Sequence, residues 1–192
     1  STNPNHTPAM YHPSTLYTVV VFSENHVGLL NQLSIIFTRR SLNIESISAS
    51  ACSTPGVHKI TITCHSDSEM MDKVIKQIEK RIDVIRAFCY TDNDIVYQEV
   101  ALYKVPTQAI ISESNVESII RRHGARILDI TPDYTVIEKT GHYDETEALF
   151  RELRRYDIKQ FVRSGRVVVT RSPIEFVDDF LARRRLQDPE RQ

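Results

Sequence analysis

The 192 residues suffice for one medium domain or two small ones, and 41% hydrophobic with 26% charged residues excludes wholesale disorder. A formal net charge of -1 leaves no global basic field to draw the chain to nucleic acid or to an anionic membrane. No apolar stretch approaches the roughly 20 residues that span a bilayer, and no charged-then-apolar leader is visible, so the expectation is a cytoplasmic protein without a membrane role.

Residues 1–15, STNPNHTPAMYHPST, have no periodicity and are expected to form a flexible arm. Leu16 to Phe22 reads as a strand and Gly28 to Arg40 as a helix, with Leu29, Leu30, Leu33, Ile36 and Phe37 at helical spacing. Ile44 to Cys52 is the next predicted strand, followed by a Pro55-Gly56 type II turn. In His58 to His65, apolar Ile60, Ile62 and Cys64 alternate with Lys59, Thr61 and Thr63, which predicts a half-buried antiparallel strand. Asp67 or Ser68 caps a helix that turns Met71, Val74, Ile75 and Ile78 inward, and Val84 to Thr91 closes the set.

The β-α-β-β-α-β order then repeats after a junction near Asp92 to Asp94. Val96 to Val105 is strand-like, and Ser114 with Glu117 predicts a capping box opening a helix that ends at Gly124. Two strands flank Thr131-Pro132-Asp133, and Asp144 with Glu147 predicts a second box. Ile158 to Ser164 and Val167 to Thr170 are expected to close on a Ser-Gly-Arg turn, and Ser172-Pro173 to start a terminal helix ending in Arg183 to Arg185. The expectation is α+β: two ferredoxin-like domains over 16–92 and 95–171, antiparallel sheets with helices on one face, and a charged tail over 172–192. The first strand is apolar on both sides (Leu16, Val20 and Phe22; Tyr17, Val19 and Val21). It therefore needs a central position and cover for its second face, from a repeat in the same chain or in another.

Catalytic signatures are missing. All five glycines are isolated, so there is no phosphate-cradling loop, and no H-E-x-x-H, G-x-S-x-G or zinc-spaced cluster occurs. Cys52, Cys64 and Cys89 are odd in number, far apart and assigned to strands, and read as reduced thiols. His123 lies on an inward helical stripe and reads as a hydrogen-bonded core residue. What remains is the turn around Asn25 and Gly28. A helix N-terminus there offers free N–H groups to a carboxylate, Asn25 an oxygen to an ammonium, and Leu29, Leu30 and Ile44 an apolar wall. Those features together suit a free amino acid. The residues alone leave this open against a plain turn, in which Gly28 reverses the chain and Asn25 caps the helix.

The stretch LYTVVVFSENHVGLLNQLSIIFTRRSLNIESIS resembles the ACT regulatory domain, in particular that of acetolactate (acetohydroxyacid) synthase small regulatory subunits. It contains N-x-x-G-x-L at Asn25 to Leu30 and R-x-x-N-I-E-S at Arg40 to Ser46. The likeness continues through IDVIRAF, QEVALYKV, GARILDITPDYTVIEKTG and VRSGRVVV. The resemblance implies a non-catalytic subunit, a homodimer through its N-terminal ACT domains, and branched-chain amino acids, typically valine, bound between them. Asn25 and Gly28 would hold the effector from one chain and Asn43 and Ile44 close the pocket from the other, with His26, Val27, Leu29 and Leu30 beside them. It also implies an acetolactate synthase catalytic (large) subunit as partner, which would carry the thiamine diphosphate, magnesium and FAD; the chain would have no cofactor of its own. The alternative is a free-standing ACT-type amino-acid sensor acting on transcription or on another enzyme, for which no helix-turn-helix segment is seen.

Overall fold

The computed structural model describes residues 14–24, 27–112 and 114–173, with positions 179, 182 and 183. Nearly all of the expected arm, Asn25 and His26, and most of the expected terminal helix lie outside the described residues. The first unit runs β1 (Thr15–Glu24), α1 (Leu29–Arg39), β2 (Ser46–Ala51), β3 (Val57–Ser66), α2 (Ser68–Glu79) and β4 (Val84–Tyr90). Its sheet order is β2-β3-β1-β4 with every neighbour antiparallel, the ferredoxin-like arrangement, and β1 is internal. Asp67 caps α2 by accepting a 2.8 Å bond from Met70 N–H. Gly56 has φ +77°, and Val57 N–H returns to Thr54 C=O at 3.2 Å, as a type II turn around Pro55-Gly56 requires. Two bounds differ from the sequence reading: β2 starts only at Ser46, and Cys52 lies just past its end.

The second unit runs β5 (Ile95–Pro106), α3 (Thr107–Ser112), α4 (Ser114–Arg122), β6 (Arg126–Ile130), β7 (Tyr134–Gly141), α5 (Tyr143–Leu153), β8 (Gln160–Arg163) and β9 (Val167–Thr170). The sheet order is β6-β7-β5-β8, with β9 also on β5. Ala101, Tyr103, Val105 and Ile137 form the floor on which Val116, Ile119, Leu149 and Leu153 pack. Gly124 ends α4 at φ +61°, as expected.

The helix expected to open at Ser114 does so, and Glu117 pairs forward with Arg121; the start of the expected box lies at the edge of the described residues. Two local expectations are corrected here. In α5 the reciprocal bond lies two residues earlier than expected: Glu145 accepts from His142 N–H at 2.7 Å, while Glu147 pairs with Arg163 at 3.1 Å. The helix starts where β7 stops, and β7 stops at Gly141, its last residue paired with β5, opposite Glu99. Finally, β8 and β9 do not form a hairpin. They line up end to end along β5, β8 against Ala101 to Lys104 and β9 against Ile95 to Gln98. Ser164 bridges the step, donating its N–H to Val100 C=O at 2.8 Å and accepting Val100 N–H on its hydroxyl at 2.9 Å.

This step lets the second unit cover the first. On the helix side of the first sheet Val19, Val21, Ile60, Ile62 and Cys64 form one core with α1 and α2. On the opposite side Val20 is buried against Ile95 and Val168, with Phe22, Tyr90 and Tyr97 around them. Cover for the second face of β1 therefore comes from within the same chain. The half-buried reading of β3 is corrected by the same contact: Thr61 and Thr63 are 5% and 3% exposed, nearly as enclosed as Ile60 and Ile62 beside them. Polar groups hold this seam. Arg166 donates to Asp92 at 2.7 Å and lies 4.0 Å over the Tyr97 ring, and Lys59 Nζ donates to Val168 C=O at 2.6 Å.

Candidate functional site

The start of α1 is open. Gly28 occupies the position before the helix in the left-handed region, φ +92° and ψ -4°, where glycine is at ease and a β-branched residue is strained. Apart from its two chain neighbours, no atom of the described residues comes within 4 Å of where a Cβ at Gly28 would stand. Gln32 N–H returns to Gly28 C=O at 3.1 Å, closing the first turn. Among the described residues no side chain caps this end and no acidic residue occupies its first turn. The first N–H groups of α1 therefore face outward with the positive end of the helix dipole, a setting that favours an anion.

The flanking side chains divide by role. Val27 is 95% exposed and Leu30 47%, so both are available to a ligand or a neighbouring chain. Leu29 is turned inward, 3% exposed within the core of the first unit, so it offers its backbone rather than an apolar wall. Asn43 and Ile44 belong to the segment after α1, which leaves the helix through Ser41 at φ +55°. Ile44 packs against the core, while Asn43 is exposed and its Nδ2 donates to Glu45 Oε1 at 3.4 Å.

Within one chain these residues are not brought together. Gly28 precedes α1 and Asn43 follows it, and eleven helical residues separate such ends by roughly 16 Å. Strand register gives the same answer: β2 begins opposite Thr63, whose other neighbour is Thr18, whereas Gly28 follows Glu24 at the far end of β1. Among the described residues β2 has no strand partner at its outer side, and Ile47 on it is 44% exposed.

A second group went unread in the sequence. The Arg166 guanidinium is sandwiched between Asp92 and the Tyr97 ring, and that ring stacks at 4.0 Å on His142, the residue just before α5. Tyr97 O–H donates to Asp92 at 3.2 Å; burial first, then the Asp92 carboxylate, pushes this phenol above its ordinary range. Next to Arg166, a Cβ at Gly165 would lie 3.4 Å from Ser46 Cβ, so the second unit touches the first strand residue after Ile44. An arginine within the apolar run VRSGRVVV was the available signal, since a buried cation needs a partner.

Two depressions lie elsewhere. One, of about 330 Å³, is lined by Arg122, His123 and Lys139 with Asp144, Glu145 and Ala148. His123 is hydrogen-bonded there, its Nε2 3.0 Å from Glu152, but it is half-buried beside the core rather than part of it. The other, of about 570 Å³, lies between α1 and α2. Among the described residues no helix is long and apolar enough to cross a membrane.

Comparison with known proteins follows the same two-part division. The family model described as AHAS small subunit-like ACT domain matches residues 19–86, and that described as small subunit of acetolactate synthase matches residues 98–172. The acetolactate synthase small subunit of Bacillus subtilis (strain 168) is 35% identical over 148 residues, 77% of this chain and 86% of that protein. A probable acetolactate synthase small subunit from Archaeoglobus fulgidus is 32% identical over 157 residues, 81% of this chain and 96% of that protein. The crystal structure of the acetolactate synthase small subunit from Thermotoga maritima superposes with a TM-score of 0.74 at 24% identity, covering 83% of this chain and 99% of that one, a likeness of fold.

Proposed function

The chain belongs to the acetolactate synthase small-subunit family, and from that premise we propose that it is the regulatory partner of a thiamine-diphosphate-dependent catalytic subunit. It raises that subunit's turnover and makes it sensitive to branched-chain amino acids, valine foremost, in the cytoplasm. It performs no chemistry itself. Thiamine diphosphate, magnesium and FAD belong to the partner. The ACT domain over 16–92 binds the effector, and the domain over 95–171 carries the consequence onward.

One observation supports the site above the rest: an uncapped helix start at Gly28 with open space beside it. The carboxylate of the amino acid sits on the N–H groups of Gly28 and its successors, and Asn25 takes the ammonium. The distance between Gly28 and Asn43 is resolved by a second copy. If two chains pair through the free edges of β2 about a two-fold axis, the strands run antiparallel. The partner's β2 then starts near the end where β1 of the first chain stops. Asn43 and Ile44 of the second chain thereby close on Gly28 of the first, and two equal sites form per dimer. Effector bound only to the pair strengthens the pair by mass action.

Calorimetric titration of valine, leucine and isoleucine into the purified chain, alongside sedimentation, tests this reading. A dimer that binds valine and is tightened by it is expected. A monomer at micromolar concentration, indifferent to all three, contradicts the composite site.

A further inference from the structure

The depression between the two helices of the first unit is lined by Arg40, Lys73, Lys76, Gln77, Lys80 and Arg81. Five of these six are cations, on a chain whose total charge is -1. Several cations elsewhere sit beside carboxylates: Arg121 on Glu117, Arg122 on Glu152, Arg126 on Glu138, Arg163 on Glu99 and Glu147, Arg166 on Asp92. Among the described residues Arg40, Lys76, Lys80 and Arg81 have no such partner. Lys73 has Glu69 at 3.3 Å, but both are exposed, 54% and 83%, so the pair is largely screened by water.

Geometry turns this surplus into a surface. Residues 73, 76, 77 and 80 recur at i, i+3, i+4 and i+7 along the outer face of α2, a cationic line roughly 10 Å long. Lys76 and Lys80 are like charges one turn apart, an arrangement that costs a helix stability. Arg40 crosses from the end of α1, its Nε donating to Gln77 at 3.0 Å and its Nη1 lying 3.7 Å from Met70 Sδ, which holds its charge over the groove. Arg81 Nε is shielded from water and has no hydrogen-bond partner. The lining contains no glycine loop, and it grips through long side chains from a single helix and one helix end. Such a surface suits several carboxylates spread along a protein segment better than one compact phosphate group.

We propose that this groove docks an acidic segment of the catalytic subunit, an inference that rests on the regulatory reading above. Electrostatic attraction there speeds encounter and fixes register, and the contact weakens as salt rises. The test titrates the full chain into its cognate catalytic subunit and follows acetolactate formation at two ionic strengths. Lys76→Glu/Lys80→Glu is compared with Arg154→Glu/Arg155→Glu, which makes the same change in net charge on the second unit. The groove variant is expected to raise the half-saturating concentration by about tenfold at low salt, to flatten its salt dependence and to keep the plateau of activation. The control variant is expected to follow wild type, and circular dichroism to show all three folded alike. Half-saturation of the groove variant equal to wild type, or equal loss in both variants, overturns the docking surface. So does an unchanged titration combined with loss of a thermal shift that inorganic tripolyphosphate gives the wild type, because the groove is then a small-anion site. A wild-type chain that neither binds nor activates the catalytic subunit overturns the regulatory reading, and this inference with it.

Discussion

Replacing Gly28 with aspartate separates a binding glycine from a turning one. Two costs can be set against each other. At φ +92° a side chain strains the backbone, by about 1–2 kcal/mol for an ordinary residue and less for asparagine or aspartate. Among the described residues no steric cost adds to this, since beyond its chain neighbours a Cβ there meets nothing within 4 Å. A carboxylate at a helix start recovers about 0.5–1 kcal/mol through the free N–H groups and the dipole. Stability should therefore change by about 1 kcal/mol or less. Binding should change much more. Two carboxylates about 4 Å apart repel by about 1 kcal/mol in water and about 4 kcal/mol at an effective dielectric of 20, so valine affinity should fall between about 5-fold and about 1000-fold. Gly28→Asn, with the same shape and no charge, should fall between wild type and Gly28→Asp. Calorimetric titration with valine and valine inhibition of the reconstituted enzyme measure the effect, with circular dichroism and thermal melting as controls. A folded Gly28→Asp chain with the valine response of wild type would refute the reasoning and reduce Gly28 to a turn.

Three further outcomes follow from the packing. Arg166→Ala removes the charge-assisted bond to Asp92 and the stack on Tyr97, and should cost about 2 kcal/mol in urea unfolding; a loss below about 0.5 kcal/mol would mean the seam stands without it. Asp67→Ala removes the cap accepted from Met70 and should cost about 1 kcal/mol, read by the same method. Burial pushes the Cys64 thiol from its ordinary 9.0 to about 11 and that of Cys89 to about 12. Both thiols are held protonated in the fold, so the unfolded chain loses their protons first. Stability from this source is intact below pH 9 and lost as pH rises through 11 to 12, and a flat unfolding free energy across that window would contradict the burial.

The fold was legible wherever a pattern is local. Strand 1 announced a covered second face through Tyr17, Val19 and Val21 opposed to Leu16, Val20 and Phe22, and Asp67, Gly56 and Gly124 marked a cap, a turn and a helix end. Misreadings arose where distant residues decide. His-Tyr-Asp-Glu-Thr-Glu holds two frames for a reciprocal cap, and the frame is chosen by the register of β7 on β5. Thr61 and Thr63 look like solvent-facing positions because nothing nearby reveals that the second unit covers this side of the sheet. Ser164-Gly165-Arg166 has the composition of a hairpin turn, yet β5 is long enough to pair with both β8 and β9 in succession. Of the candidate site, sequence located the open helix start at Gly28 but not the inward turn of Leu29, which depends on helix rotation against the sheet. The helix read from Gly28 to Arg40 already put Gly28 and Asn43 at opposite ends, and α1 keeps them apart.

The central claim is that this chain regulates an acetolactate-forming catalytic subunit through bound amino acid. Acetolactate formation from pyruvate, measured for the catalytic subunit alone, with this chain at saturation, and with the chain plus valine, tests it most directly. The account predicts no product from the chain alone, higher turnover once it joins the catalytic subunit, and a fall in turnover on adding valine that Gly28→Asp abolishes. Turnover that stays the same at every concentration of the chain would contradict it.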